Sequence, residues 1–125
     1  MRSNRYVPRR PSRHRVRLGC QIVRERDFKL VSDQLIELSE YGMLVVPKAR
    51  VLTGEPLLVS FMAPFTRQFI DTEATVARVL HGRRLGDMGI GLGLDLSAMS
   101  ESARSLIREQ LAFLPAAMPR RRLVS

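Results

Sequence analysis

The chain has 125 residues, of which 45% are hydrophobic, enough for one compact core and for one domain. It carries 21 basic and 12 acidic residues for a formal net charge of +9, with a single cysteine and two histidines. This inventory excludes an internal disulfide and a histidine–cysteine metal site, and no segment approaches the roughly 18 apolar residues of a membrane span.

The charge is unevenly placed. Residues 1–17 hold seven arginines and no acid, Arg120-Arg121-Arg122 add three, and residues 18–114 balance 11 basic residues against 12 acids. The body is therefore near neutral, with a basic segment at each end. That distribution reads as an anion-binding device attached to a neutral fold. Nineteen of the basic residues are arginine, whose guanidinium grips phosphate bidentately and stacks on flat rings. Residues 1–14 are polar and contain Pro8 and Pro11, which fits an arm that becomes ordered on binding. No hydrophobic segment follows the charged start, so a secretory signal is not expected. With the lone Cys20, this points to the reducing cytoplasm.

From Val16 to Val23 apolar and polar residues alternate, the pattern of a half-buried strand. Phe28 to Leu38 predicts a second strand, bent near Ser32-Asp33. Gly42 precedes the short apolar strand Met43–Val46, which Pro47 stops. Thr53–Pro56 reads as a turn before a strand at Leu57–Met62. Phe69–Leu80 alternates over a longer run, with Ile70, Thr72, Ala74 and Val76 on one face, and residues 81–84 turn the chain again. Met88–Leu96 reads as a strand with Gly89, Gly91 and Gly93 on one face. These glycines do not form G-x-G-x-x-G and read as packing positions. The period then changes: Ser100 is a candidate N-cap, and Ala103, Leu106, Ile107, Leu111 and Leu114 follow helical spacing up to Pro115. The expected fold is mainly β, a small six-stranded antiparallel barrel with a C-terminal helix closing or flanking one opening. Residues 1–14 form the arm, 15–114 the barrel and helix, and 115–125 a basic tail.

Two short elements carry the candidate chemistry. One is Arg9-Arg10-Pro11-Ser12-Arg13, an arginine pair four apart just before the first strand. The other is Glu37-Leu38-Ser39-Glu40-Tyr41-Gly42, the link between the second and third strands. A hydroxyl at Ser39 can donate to a phosphate or a purine edge, Gly42 allows close backbone approach, and the Glu37 carboxylate can accept from the N–H groups of a guanine.

In this order, and on such a barrel, the two elements resemble the signature of the PilZ domain family: R-x-x-x-R in an N-terminal loop, then D/N-x-S-x-x-G. Arg9 and Arg13 match the first, Ser39 and Gly42 the second, and the glycine-rich last strand with its helix matches the family's closing elements. The resemblance covers roughly residues 9–113. Position 37 departs from the pattern, being Glu where Asp or Asn is usual. The arginine register has alternatives, because Arg13 with Arg17 and Arg10 with Arg15 also lie close to the first strand.

The resemblance implies a receptor for the second messenger cyclic di-GMP, as one molecule or an intercalated dimer, with no other cofactor. Arg9 and Arg13 would hold phosphates and guanine with Arg10 assisting, Ser39 would hydrogen-bond the ligand, and Glu37 would address a base edge. Ordering of the arm would carry the signal to an unidentified effector protein, from a monomer or a homodimer. Two rivals accompany this reading. A ligand-independent adaptor would bind only protein, and the basic ends would contact nucleic acid phosphates without reading sequence, the latter also as a secondary activity. Only Tyr6 lies among the arm's basic residues, which disfavours a stacking surface for single strands. No catalytic arrangement can be assembled from His14, His81 and the scattered carboxylates, so an enzyme is not expected.

Overall fold

The computed structural model describes residues 14–15, 18–63, 65–66, 68–81 and 89–113. The strands are β1 (His14–Arg15), β2 (Gly19–Arg24), β3 (Leu30–Leu38), β4 (Gly42–Val46), β5 (Pro56–Met62), β6 (Phe69–Leu80) and β7 (Gly91–Asp95), followed by helix α1 (Glu101–Leu111). All pairings are antiparallel, in the order β3-β2-β5-β6-β7-β4, and β4 pairs back onto β3. The result is a closed six-stranded barrel.

The alternating sequences dictate which side chains enter it. Along β5, Leu57, Val59 and Phe61 are buried while Leu58, Ser60 and Met62 are partly exposed, the period-2 rule of a pleated strand. Ile70, Ala74 and Val76 continue the inner face on β6, and Leu92 and Leu94 on β7. A six-stranded barrel has no lumen once such residues meet at its axis.

Helix α1 closes one end. Ser100 caps it, its Oγ accepting from the Ala103 N–H at 3.2 Å, and Glu101 places a negative charge in the first turn. Ile107 and Leu111 join Leu96 and Met99 in the core. The buried face is not the purely apolar stripe expected from spacing. Arg104 and Gln110 are buried on it, whereas Ala103 and Leu106 are only partly covered. The helix ends at Leu111 with Ala112 as its cap, and Leu114 lies outside the described residues.

Three local expectations are revised. The strand expected over Val16–Val23 is seen as β2 from Gly19, with Leu18 outside it, and the separate β1 and β2 pair with different stretches of β3, at residues 37–38 and 30–34 respectively. Because β4 also pairs with residues 34–38 of β3, β1 and β2 must share the opposite side of β3. The second strand starts at Leu30, since Phe28 has φ 57° and donates its N–H to the Arg24 carbonyl in a turn. The last strand starts at Gly91. Gly89 has φ 108°, a conformation that a side chain would strain, and Ile90 is left 63% exposed.

Phe61 is the largest fully buried side chain and touches no solvent. Phe61→Ala is expected to lower unfolding free energy by about 3–5 kcal/mol in a urea titration.

Candidate ligand-binding site

The end of the barrel that α1 closes also carries the segment expected to bind. Ser39 and Gly42 form a tight turn between β3 and β4. The Ser39 N–H donates to the Gly42 carbonyl at 2.9 Å, and the Ser39 Oγ accepts from the N–H groups of Tyr41 at 3.3 Å and Gly42 at 3.1 Å. The hydroxyl lies 3.3 Å from the Gly42 carbonyl, which can accept its proton. Ser39 therefore shapes this loop through its own backbone. Gly42 is needed for space: a Cβ there would lie 2.9 Å from the Leu94 carbonyl oxygen of β7.

Glu37 sits two residues before the turn, is only 2% exposed, and pairs with Leu44 across β4 and with Arg15 across β1. A register shift in the β3–β4 ladder between Leu35 and Glu37 accompanies the burial of both Glu37 and Leu38 in succession. His14 pairs with Leu38, so the chain joins the barrel one residue from Ser39. Arg9, Arg10 and Arg13 lie outside the described residues; Arg13 is one peptide bond before His14.

The structure adds residues that spacing did not single out. Arg104 of α1, 5% exposed, donates to the carbonyls of Glu40, Ser97 (3.1 Å), Met99 (2.9 Å) and Leu96 (3.4 Å). Its guanidinium carbon lies 4.3 Å from the centroid of the half-exposed Tyr41 ring, a cation–π contact. One turn further, the Arg108 Nε donates to Glu40 Oε1 at 2.9 Å, and Glu40 raises the Arg108 pKa. The Leu96 N–H donates to the Tyr41 carbonyl at 2.9 Å. The loop at 39–42 is thus tied to the helix and to the strand–helix connection at once. Nearby, Ser97 donates to the Asp95 carboxylate and holds its pKa below the ordinary value, with the Arg104 charge adding a smaller contribution. The only advance signal for this arrangement was the Arg104/Arg108 spacing, which on an exposed helix marks nothing more than a charged face.

Gly91 and Gly93 pack as expected, with Leu44 and Leu80 side chains 3.3–3.4 Å from a Cβ at 91 and Arg78 atoms 3.2–3.3 Å from one at 93. Among the described residues no group of three or more His, Cys, Asp or Glu is placed to hold a metal ion, and no helix is long and apolar enough to cross a membrane.

The model of one protein family, the PilZ domain, matches residues 8–113. The chain belongs to the PilZ domain family. The match spans the barrel, the Ser39 turn and the helix of this PilZ domain. Solved structures agree on the fold. The Bacillus subtilis inhibitor of motility, MotI/DgrA, superposes with a TM-score of 0.63 at 22% identity over 86% of this chain, which spans only 53% of that one. The PilZ domain of YcgR from Escherichia coli, solved with c-di-GMP, gives a TM-score of 0.61 at 14% identity over 85% of this chain and 91% of its own. None of the curated proteins compared with the sequence matches it. The family is one of c-di-GMP receptors, and neither it nor these neighbours points to an enzyme.

Substitutions at Arg104 and Gly42 test how the PilZ loop is held. Arg104→Met is expected to cost about 2–4 kcal/mol, because four carbonyls lose their donor in a site with little water. Arg104→Lys should recover less than half of this, since one ammonium cannot reproduce the planar fork; thermal unfolding measures both. Gly42→Ala should cost about 1–3 kcal/mol through the clash with the Leu94 carbonyl. Gly19→Ala, with nothing within 4 Å of the added Cβ, should be neutral in the same assay.

Proposed function

We propose that this PilZ domain binds cyclic di-GMP between its arginine-rich arm and the turn at Ser39–Gly42. The observation that carries the reading is the short β1–β3 ladder, His14 with Leu38 and Arg15 with Glu37. It ties the end of the arm to a point one residue from Ser39, so that Arg13, Arg10 and Arg9 stand within one to five residues of the fixed point at His14. A ligand with phosphates and two guanines suits that neighbourhood. Guanidinium groups at Arg9 and Arg13 hold phosphates and stack on the bases, with Arg10 assisting or accommodating a second molecule, and each well-desolvated cation–π contact contributes about 1–2 kcal/mol. The YcgR PilZ domain solved with c-di-GMP supports the ligand class.

Within this reading the roles of the loop residues divide. Gly42 lets β4 lie close to β7, and Ser39, whose hydroxyl is engaged by the Tyr41 and Gly42 backbone, fixes the turn against which the ligand sits. Glu37, longer by one methylene than the usual Asp or Asn, addresses a base edge and retunes affinity. The signal leaves through the arm, whose ordering against the barrel before His14 changes what an effector protein meets. The domain acts as a cytoplasmic receptor, as a monomer or a homodimer.

A ligand-independent adaptor is the second reading, and one observation favours it. The hydrogen bonds of Ser39 and the packing of Gly42 account for both residues with no ligand present.

Calorimetric titration of cyclic di-GMP into the protein, with GTP as control, separates the two. Saturable binding at micromolar affinity or tighter is expected, weakened at least about tenfold by Arg9→Ala, which corresponds to about 1.4 kcal/mol. Ser39→Ala should weaken it as well, and the stoichiometry distinguishes one ligand from two. No heat from a folded sample at high concentration would leave the adaptor reading standing.

A further inference from the structure

The outer surface of the wall formed by β2, β5 and β6 carries an open groove of about 630 Å³. Two cross-strand rows floor it, Val23–Leu58–Glu73 and Gln21–Ser60–Asp71, and Leu30 of β3 extends the first row beyond Val23. Phe28 borders the groove, 68% exposed and held at φ 57°, a backbone conformation unfavourable for so bulky a residue. Local bonds hold the residue there. Arg24 grips both carboxylate oxygens of Asp27, at 3.2 and 2.8 Å, and Asp27 accepts from the Lys29 N–H at 3.1 Å. The charges of this turn also cancel, with Arg24 and Arg26 paired to Asp27 and Glu55, and Lys29 offset in formal charge by Glu25. The acids of the wall differ: Asp71 and Glu73 are exposed, and among the described residues neither has an ion-pair partner. In a chain of net charge +9, this face is apolar and locally negative.

We propose that this wall docks a partner protein through a basic amphipathic helix, one with two cations a turn apart beside an apolar stripe. Charge complementarity sets the sign of the partner. Spacing sets its form. Asp71 and Glu73 lie two residues apart on one strand face, about 7 Å, and cations at i and i+4 of a helix start about 5–6 Å apart. Glu73 stands one strand spacing from Leu58 and two from Val23, about 5 and 10 Å. A helix about 10–12 Å across therefore covers the wall with its cations over β6 and its apolar stripe over Leu58, Val23 and Phe28. An extended segment laid flat on these side chains would leave its own amides and carbonyls against apolar surface, whereas a helix pairs them internally. None of the groove residues belongs to β1, the Ser39 turn or α1. The contact stands whether or not that turn takes a nucleotide, and in either case it gives the effector its seat on the barrel.

The test titrates synthetic helical peptides into the isotopically enriched full chain, followed by NMR. One probe presents Lys at i and i+4 and Leu at i+3 and i+7 on an alanine-rich helix of about 18 residues. Its counterpart carries Glu in place of both Lys. Saturable shifts are expected at the Gln21, Phe28, Ser60 and Glu73 amides, with those of Leu44 and Leu92 unmoved. The Lys probe should bind at least about tenfold tighter than the Glu probe, and Asp71→Lys with Glu73→Lys should invert that preference. Phe28→Gly, which accepts φ 57° without strain, should weaken the Lys probe about fivefold or more while the domain stays folded. Absence of saturable shifts overturns the proposal, as do shifts confined to other walls or a preference that the charge reversal does not move. Sedimentation of the chain alone adds a further check. A dimer that Phe28→Gly dissociates would assign the wall to a second copy and overturn the proposal too.

Discussion

A buried guanidinium organises this domain. Arg104 lies almost wholly out of water, where an unmatched charge is costly, and the surrounding backbone answers it with carbonyl oxygens from Glu40, Leu96, Ser97 and Met99. Those carbonyls belong to two segments distant in sequence, the β3–β4 turn and the connection between β7 and α1. Satisfying one side chain therefore fixes three things together: the turn's conformation, the helix's seat on the barrel end and the direction in which the chain leaves β7. The Arg108–Glu40 pair, exposed on the arginine side, adds little energy but shares the turn. A disturbance at residues 39–42 is felt at once by the helix, and a disturbance of the helix by the turn.

This dependence explains why the Ser39 turn is so complete without any visitor. Its hydroxyl and amides bond one another, its glycine fits against the Leu94 carbonyl, and its tyrosine covers the buried arginine. A rigid turn of this kind suits a binding surface, because a preformed site loses little ordering entropy when a ligand arrives. In the receptor reading, the cost of ordering falls on the arm, whose arginines come before β1. The barrel then supplies the fixed half of the site and the arm the responsive half.

Much of the barrel was legible in its alternation. Leu57–Met62 and Phe69–Leu80 read as strands because every second residue had to be apolar, and the buried residues are the ones the period selects. Ser39 and Gly42 were legible as a pair through the resemblance to D/N-x-S-x-x-G, and the structure makes them the two ends of one turn. The misses share a physical cause, namely that context overrode local pattern. Phe28 belongs to an apolar run, yet the Arg24–Asp27 pair bends the chain before it can enter β3. Ile90 continues the last strand's alternation, but Gly89 at φ 108° turns the chain one step too early for it. Arg104 was the least legible residue, since nothing in a helical sequence distinguishes an arginine in water from one in a cage of carbonyls, one of which lies 64 residues away along the chain. The placement of Arg9, Arg10 and Arg13 falls outside the described residues.

The pairing of β4 back onto β3 has one further consequence. A sheet that ends in an open strand offers its spare amides and carbonyls to any passing peptide, and many signalling modules recruit partners by extending the sheet in this way. Closure removes that option among these six strands, and with it the hazard of chains joining edge to edge. Recognition on the barrel must then be written in side chains, where a single charge reversal can erase it, and not in the backbone, where sequence scarcely matters. Specificity in such a domain is open to rapid change by surface substitution while the fold beneath stays the same.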